Sequence, residues 1–169
     1  MKVFGLAGWS GSGKTTLMIR LLPELIARGL TVSTVKHAHH AFDVDKPGKD
    51  SFRHRAAGAR EVMVSSAKRW ALMHENRDAP EADLGELLCH MSPVDLVLVE
   101  GFKHEPHDKL EVYRAAVGKP LLAADDPHIK AIASDIALPN APVPVVALDD
   151  VSAIADIVMR ACGFEDAAA

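Results

Sequence analysis

The chain has 169 residues, 49% of them hydrophobic and 25% charged, a length that buries one sizeable core, so a single domain spanning residues 1–169 is expected. Its net charge of −4 is spread as mixed signs with no basic block or basic-aromatic stripe, which speaks against a nucleic-acid partner. No apolar run reaches the roughly 18 residues of a membrane span, and no N-terminal apolar segment ends in a small-residue cleavage site, so a cytoplasmic protein without a membrane partner is expected.

Lys2 to Ala7 is an apolar strand that meets a glycine-rich turn, and Lys14 to Arg28 carries Leu17, Leu21, Leu22, Leu25 and Ile26 at helical spacing. Pro23 interrupts that pattern, and Gly29 stands where a left-handed cap would close the helix. Leu30 to Lys36 follows as a β-branched strand, completing a βαβ unit with a parallel pair. A polar stretch, His37 to Lys49, precedes a short helix around Ser51 to Ala57 and two strands, Glu61 to Ser65 and Arg69 to His74. Glu81 to His90 reads as helix, and Val94 to Val99 as a buried strand. Lys109 to Arg114, Pro120 to Ala124, Ile129 to Ala133 and Val143 to Leu148 read as strands, and Val151 to Ala161 as the last helix, with Gly163 after it. The alternation predicts an α/β sandwich with a mostly parallel sheet flanked by helices. Cys89 and Cys162 form no C-x-x-C pair and read as two buried small apolar residues.

Gly8-Trp9-Ser10-Gly11-Ser12-Gly13-Lys14-Thr15 fits G-x-x-x-x-G-K-[ST] at every fixed position, between a predicted strand and a predicted helix. Glycines are needed because backbone N–H groups must turn inward onto phosphate oxygens, where a Cβ would collide or forbid the dihedrals. The expected phosphate-binding set is Gly8, Ser10, Gly11, Ser12, Gly13, Lys14, Thr15 and Thr16. Lys14 supplies positive charge to the β and γ phosphates, Thr15 a hydroxyl to Mg²⁺, and Thr16 a contact to the α phosphate. A nucleoside triphosphate with Mg²⁺ is the ligand this pattern fits.

The run Val94 to Glu100 carries two carboxylates, Asp95 and Glu100, about 16 Å apart at ~3.3 Å per residue and on opposite faces. Ligands bind beyond the carboxyl ends of parallel strands, so Glu100 falls beside the phosphate loop and Asp95 at the far end. Glu100 is therefore the expected acidic residue near the metal and, with Lys14, the catalytic pair; Gly101 lets backbone approach the terminal phosphate. The polar stretch with His37, His39, His40, Asp43, Asp45, Lys49 and Asp50 reads as a switch loop able to bring Asp45 or Asp50 to the metal, its histidines also resembling a metal-binding tract, or otherwise as solvated surface.

The phosphate loop, Val32 to His37, Asp45-Lys46-Pro47-Gly48-Lys49-Asp50-Ser51-Phe52-Arg53 ahead of Ala57-Gly58-Ala59, and Val99-Glu100-Gly101-Phe102-Lys103 together resemble the molybdopterin-guanine dinucleotide biosynthesis adapter family, MobB, a group of P-loop NTPases. The likeness covers nearly the whole chain. It implies a GTP-binding homodimer with at most weak hydrolysis, assisting the enzyme that attaches GMP to molybdopterin, the molybdenum cofactor guanylyltransferase. It also implies that Asp50 and Glu100 lie near the nucleotide, with Thr15, Asp50 and Glu100 as the expected metal set.

No N-K-x-D motif for reading guanine occurs; Asp135, at the end of a late strand, is a candidate acceptor for the base or a surface carboxylate. Trp9 stands where deviant phosphate loops of dimeric partitioning ATPases carry a second lysine. The alternative function is a nucleoside-kinase-like phosphotransferase, which would need an acceptor pocket and an arginine-bearing lid, for which Arg53, Arg55 and Arg60 are the available residues.

Overall fold

The computed structural model describes residues 1–38 and 42–164. In chain order the elements are β1 (Lys2–Ala7), α1 (Lys14–Ala27), β2 (Val32–Lys36), α2 (Asp50–Ala56), β3 (Glu61–Ser65), β4 (Trp70–His74), α3 (Leu84–Cys89), β5 (Leu96–Glu100), β6 (Lys109–Tyr113), β7 (Ile129–Ser134), β8 (Val145–Ala147) and α4 (Val151–Cys162), with two short 3₁₀ turns between β6 and β7. The chain groups into two compact units, Met1–His37 with Met91–Ala169, and Ala38–His90.

The first unit is built on a six-stranded sheet in the order β2-β5-β1-β6-β7-β8, parallel throughout. Phe4 and Leu6 of β1, Leu96 and Leu98 of β5, and Leu110 and Val112 of β6 point to one face, as strand alternation requires, and pack with Leu17, Leu21 and Leu25 of α1 and Ile154, Val158 and Cys162 of α4. Helix α1 buries the predicted Leu stripe but leaves Ile26 at 55% exposure, because the apolar periodicity extends past the strip the sheet covers. Gly29 takes φ 91° directly after the helix, and its N–H reaches Ile26 O. Arg28, at the same end, reaches Asp156 and the Ser152 carbonyl and hydroxyl, tying α1 to α4.

Two expectations are corrected here. Residues 120–124 are not a strand: Leu122–Ala124 form a 3₁₀ turn, and the buried Glu111 carboxylate accepts the N–H groups of Leu122 and Ala123 at 2.9 Å each, which removes them from any sheet ladder. Cys89 is exposed, since it ends the six-residue helix α3, whose buried residue is Leu84; Cys162 is buried as expected, and both thiols are free.

The second unit holds α2, α3 and the antiparallel hairpin β3-β4, paired from Glu61↔His74 to Ser65↔Trp70. Ser66 closes the hairpin, its hydroxyl accepting from the N–H groups of Lys68 and Arg69. Asp83 caps α3 in a reciprocal box with Glu86, which starts that helix three residues later than the sequence pattern suggests.

Candidate phosphate-binding site

Strand β1 is where the chain's connections reverse direction, β5 and β2 on one side and β6, β7 and β8 on the other, so its carboxyl end opens a crevice. The segment from Gly8 to Gly13 turns there into α1, with Gly8, Gly11 and Gly13 all at positive φ. At Gly8 the restriction is also spatial: a Cβ would lie 2.5 Å from Val112 O and 2.7 Å from Ser12 Oγ. Ser12 is 2% exposed and its hydroxyl has no hydrogen-bond partner among the described residues. A buried hydroxyl left unpaired within a loop of positive-φ glycines suits a site completed by a polar ligand.

Lys14, the first residue of α1, folds back along the loop and donates to Gly8 O at 2.8 Å and Trp9 O at 3.0 Å. Partial burial holds its pKa below the ordinary lysine value; the Glu100 carboxylate opposes that shift, and the Lys36 and Lys103 ammonium groups add to it. Thr15 follows on the exposed side of the same turn and donates through Oγ1 to Glu100 Oε1 at 2.7 Å. Glu100 is the last residue of β5, in register with Lys36 of β2, whose ammonium lies 3.7 Å from the same carboxylate oxygen. Asp95, at the opposite end of the strand, accepts the Thr31 N–H and hydroxyl, which hold its carboxyl below the usual range. The two carboxylates thus part as the spacing predicts, one at the loop and one at the far edge.

Gly101 continues β5 into a left-handed turn at φ 100°, followed by Phe102 at φ 46°, an uncommon conformation for a bulky side chain. A Cβ on Gly101 would stand 2.6 Å from His37 Cβ, so the strand ends of β2 and β5 can close together only over glycine. The Phe102 ring then rests against the His37 imidazole, ring centroids 4.6 Å apart, and Lys103 emerges toward the loop.

The sequence reasoning assigned no site role to Arg114, which follows β6 beside β1. Its Nε donates to Ser12 O at 3.2 Å, and its guanidinium lies 3.9 Å from Asp135 at the end of β7. The readable signal was its position, one residue past a strand adjacent to the phosphate-loop strand. Asp135 Oδ1 accepts the Ala115 N–H at 3.0 Å, and the residue lines a cleft of about 500 Å³ with Ile136, Leu138, Pro139 and Val145.

Asp50 lies in the other unit, where it opens α2 with its carboxylate 4.0 Å from Arg53. Asp45 is taken up within that unit by Ser51 at 2.8 Å and Arg55 at 3.3 Å. His39 and His40 lie outside the described residues. Among the described residues no three His, Cys, Asp or Glu side chains converge as a preformed metal centre. Thr15 and Glu100 offer the smaller ligand set that suits Mg²⁺, which keeps several waters and takes further oxygens from phosphate.

A parallel α/β sheet whose first strand runs through a glycine loop carrying Lys14 and Thr15 into a helix, with an acidic residue ending the neighbouring strand, defines a P-loop protein. The family model described as Molybdopterin guanine dinucleotide synthesis protein B matches residues 3–135, and the chain belongs to that family, MobB. The Molybdopterin-guanine dinucleotide biosynthesis adapter protein of Escherichia coli is 47% identical over 161 residues, covering 94% of this chain and 91% of the relative. Its namesake in Haemophilus influenzae is 44% identical, covering 80% and 76%. The crystal structure of Bacillus subtilis MobB superposes with a TM-score of 0.77 at 26% identity, covering 98% of this chain and all of that one.

Proposed function

We propose that this protein is an adapter in molybdopterin guanine dinucleotide biosynthesis that binds Mg²⁺-GTP and, in that state, assists the molybdenum cofactor guanylyltransferase. The observation that carries the nucleotide part is the 2.7 Å contact between Thr15 and Glu100, because it joins the first turn of the phosphate-loop helix to a carboxylate at the end of β5. Backbone amides from Ser10 to Thr16 and the Lys14 ammonium would hold the phosphates, and Thr15 and Glu100 would hold Mg²⁺. Held there, the ion would neutralise phosphate charge.

Guanine is read, in this proposal, at the cleft beside Asp135. The β7 end lies two strands from β1, ~10 Å at ~4.8 Å per strand, a span that a nucleotide extending from the loop covers. The homodimer is supported by the hairpin, where Met63, Leu72 and Trp70 share one face at 62%, 38% and 60% exposure. Aligned apolar side chains on a two-stranded sheet are the surface a second subunit covers. Weak hydrolysis fits a site in which Glu100 already bonds Thr15 and Lys36. The phosphotransferase alternative is weakened by Arg55, one of its three lid candidates, which is engaged by Asp43, Asp45 and Glu75.

Isothermal calorimetry with GTP and ATP, each with and without Mg²⁺, tests the reading. Mg²⁺-dependent binding that favours GTP is expected; absence of binding to either nucleotide overturns it.

A further inference from the structure

Trp9 occupies the second position of the phosphate loop and is pinned there by its indole N–H, which donates to Pro120 O at 2.9 Å. Two ammonium groups stand over its ring, Lys103 at 5.4 Å and Lys119 at 5.7 Å from the centroid. Its carbonyl accepts Lys14 at 3.0 Å, so one residue connects the loop's own lysine with a lysine delivered from beyond Glu100. Lys103 is brought there by the left-handed pair Gly101-Phe102 and the stacking of Phe102 on His37.

Like charges are gathered here against electrostatic repulsion. Lys36 and Lys103 each act on Lys14 through space, and Arg114 donates to the loop carbonyl of Ser12. Glu100 answers Lys36 at 3.7 Å, and Asp135 answers Arg114 at 3.9 Å. Such an arrangement is stabilised by an anion carrying more charge than Lys14 alone can balance. The indole face gives Lys103 a weak, reversible resting place, since an exposed cation–π contact is worth only about 0.5–1 kcal/mol. A phosphate oxygen offers a stronger, charge-assisted bond.

We propose that Lys103 is the residue that distinguishes a triphosphate from a diphosphate: parked on the Trp9 ring beside the loop, it leaves the indole to pair with the terminal phosphate. The proposal rests on the nucleotide reading above and deepens it, assigning the γ-phosphate contact to a side chain outside the G-x-x-x-x-G-K-[ST] motif. It also makes Trp9 a reporter of that phosphate.

The test uses the full chain carrying Trp70→Phe, which leaves Trp9 as the single tryptophan. Mg²⁺-GTP and Mg²⁺-GDP are titrated by calorimetry and by Trp9 emission in this background and with Lys103→Met or Lys103→Arg added. Lys103 is exposed, so neither substitution disturbs the core. Lys103→Met is expected to weaken GTP roughly tenfold or more while leaving GDP within about twofold, with Lys103→Arg recovering most of the loss. Trp9 emission should change with GTP and not with GDP in the parent, and change less in Lys103→Met. Equal losses for GTP and GDP, or unchanged GTP affinity, overturn the role of Lys103 and leave the nucleotide reading standing. If Lys14→Ala, run in parallel, binds both nucleotides as well as the parent, the loop reading falls and this inference with it.

Discussion

Lys36 and Glu100 stand opposite each other at the carboxyl ends of adjacent parallel strands, ammonium 3.7 Å from carboxylate, and the same carboxylate oxygen accepts the Thr15 hydroxyl. One acidic group thus mediates between a cation of β2 and the hydroxyl that opens the phosphate-loop helix. Removing its charge should separate the binding of phosphate from the binding of metal.

Glu100→Gln keeps an oxygen for Thr15 and removes the charge, so GTP should still bind while the gain in affinity on adding Mg²⁺ shrinks by roughly tenfold. Slow hydrolysis, where present, should fall with it. A ratio of affinities with and without Mg²⁺ equal to that of the parent would remove Glu100 from this role.

Lys14→Ala deletes the ammonium now satisfied by Gly8 O and Trp9 O. A lost charge-assisted hydrogen bond corresponds to about 10- to 100-fold weaker GTP binding by calorimetry, with the melting temperature of the free protein little changed. Unaltered affinity would contradict the phosphate assignment.

Asp135→Asn retains an acceptor for the Ala115 N–H but no longer offers a full carboxylate to a guanine edge. Competition between GTP and ATP should shift toward ATP by about tenfold, through weaker GTP binding rather than stronger ATP binding. If the ratio is unchanged, the base is read elsewhere.

Folding stability should depend on pH through His107. Burial depresses its pKa to about 4 from the ordinary 6.5, helped by the charges of Lys109 and His128, and both ring nitrogens are buried without hydrogen-bond partners among the described residues. The folded state therefore favours the neutral ring: this contribution is fully present above pH 6.5 and is lost as pH falls from 6.5 toward 4. Denaturant midpoints measured between pH 7.5 and 4.5 should drop more steeply for the parent than for His107→Phe. Parallel curves would show that the ring is not titrating out of a buried site.

Much of the architecture was legible because it depends on local pattern. The period of Leu17, Leu21 and Leu25 marked a helix, and the continuous apolar run ending at Glu100 marked a strand covered on both faces. The separation of Asp95 from Glu100 followed from strand rise and direction alone, and the structure puts Asp95 just before β5 and Glu100 at its carboxyl end. Where the reading missed, a distant partner decided. Residues 120–124 look β-forming in isolation, yet Glu111, eleven positions before Leu122, withdraws its N–H and that of Ala123 into a 3₁₀ turn. Arg114 reads as the tail of a strand until β1 and β6 are known to be neighbours, which brings its guanidinium to Ser12.

By itself, then, the sequence determined the phosphate loop, its strand-loop-helix setting, the acidic residue that ends a buried strand, and the family, because each depends on residues adjacent in the chain or on a fixed period. Only the tertiary structure decided what surrounds the loop. Strand order brings Lys36, Glu100, Lys103 and Arg114 to its mouth from three separate stretches of chain, and no periodicity encodes which strand lies beside which. That choice is made by packing Phe4, Leu98 and Leu110 under α1 and α4, a collective energy distributed over the core rather than written at any one position.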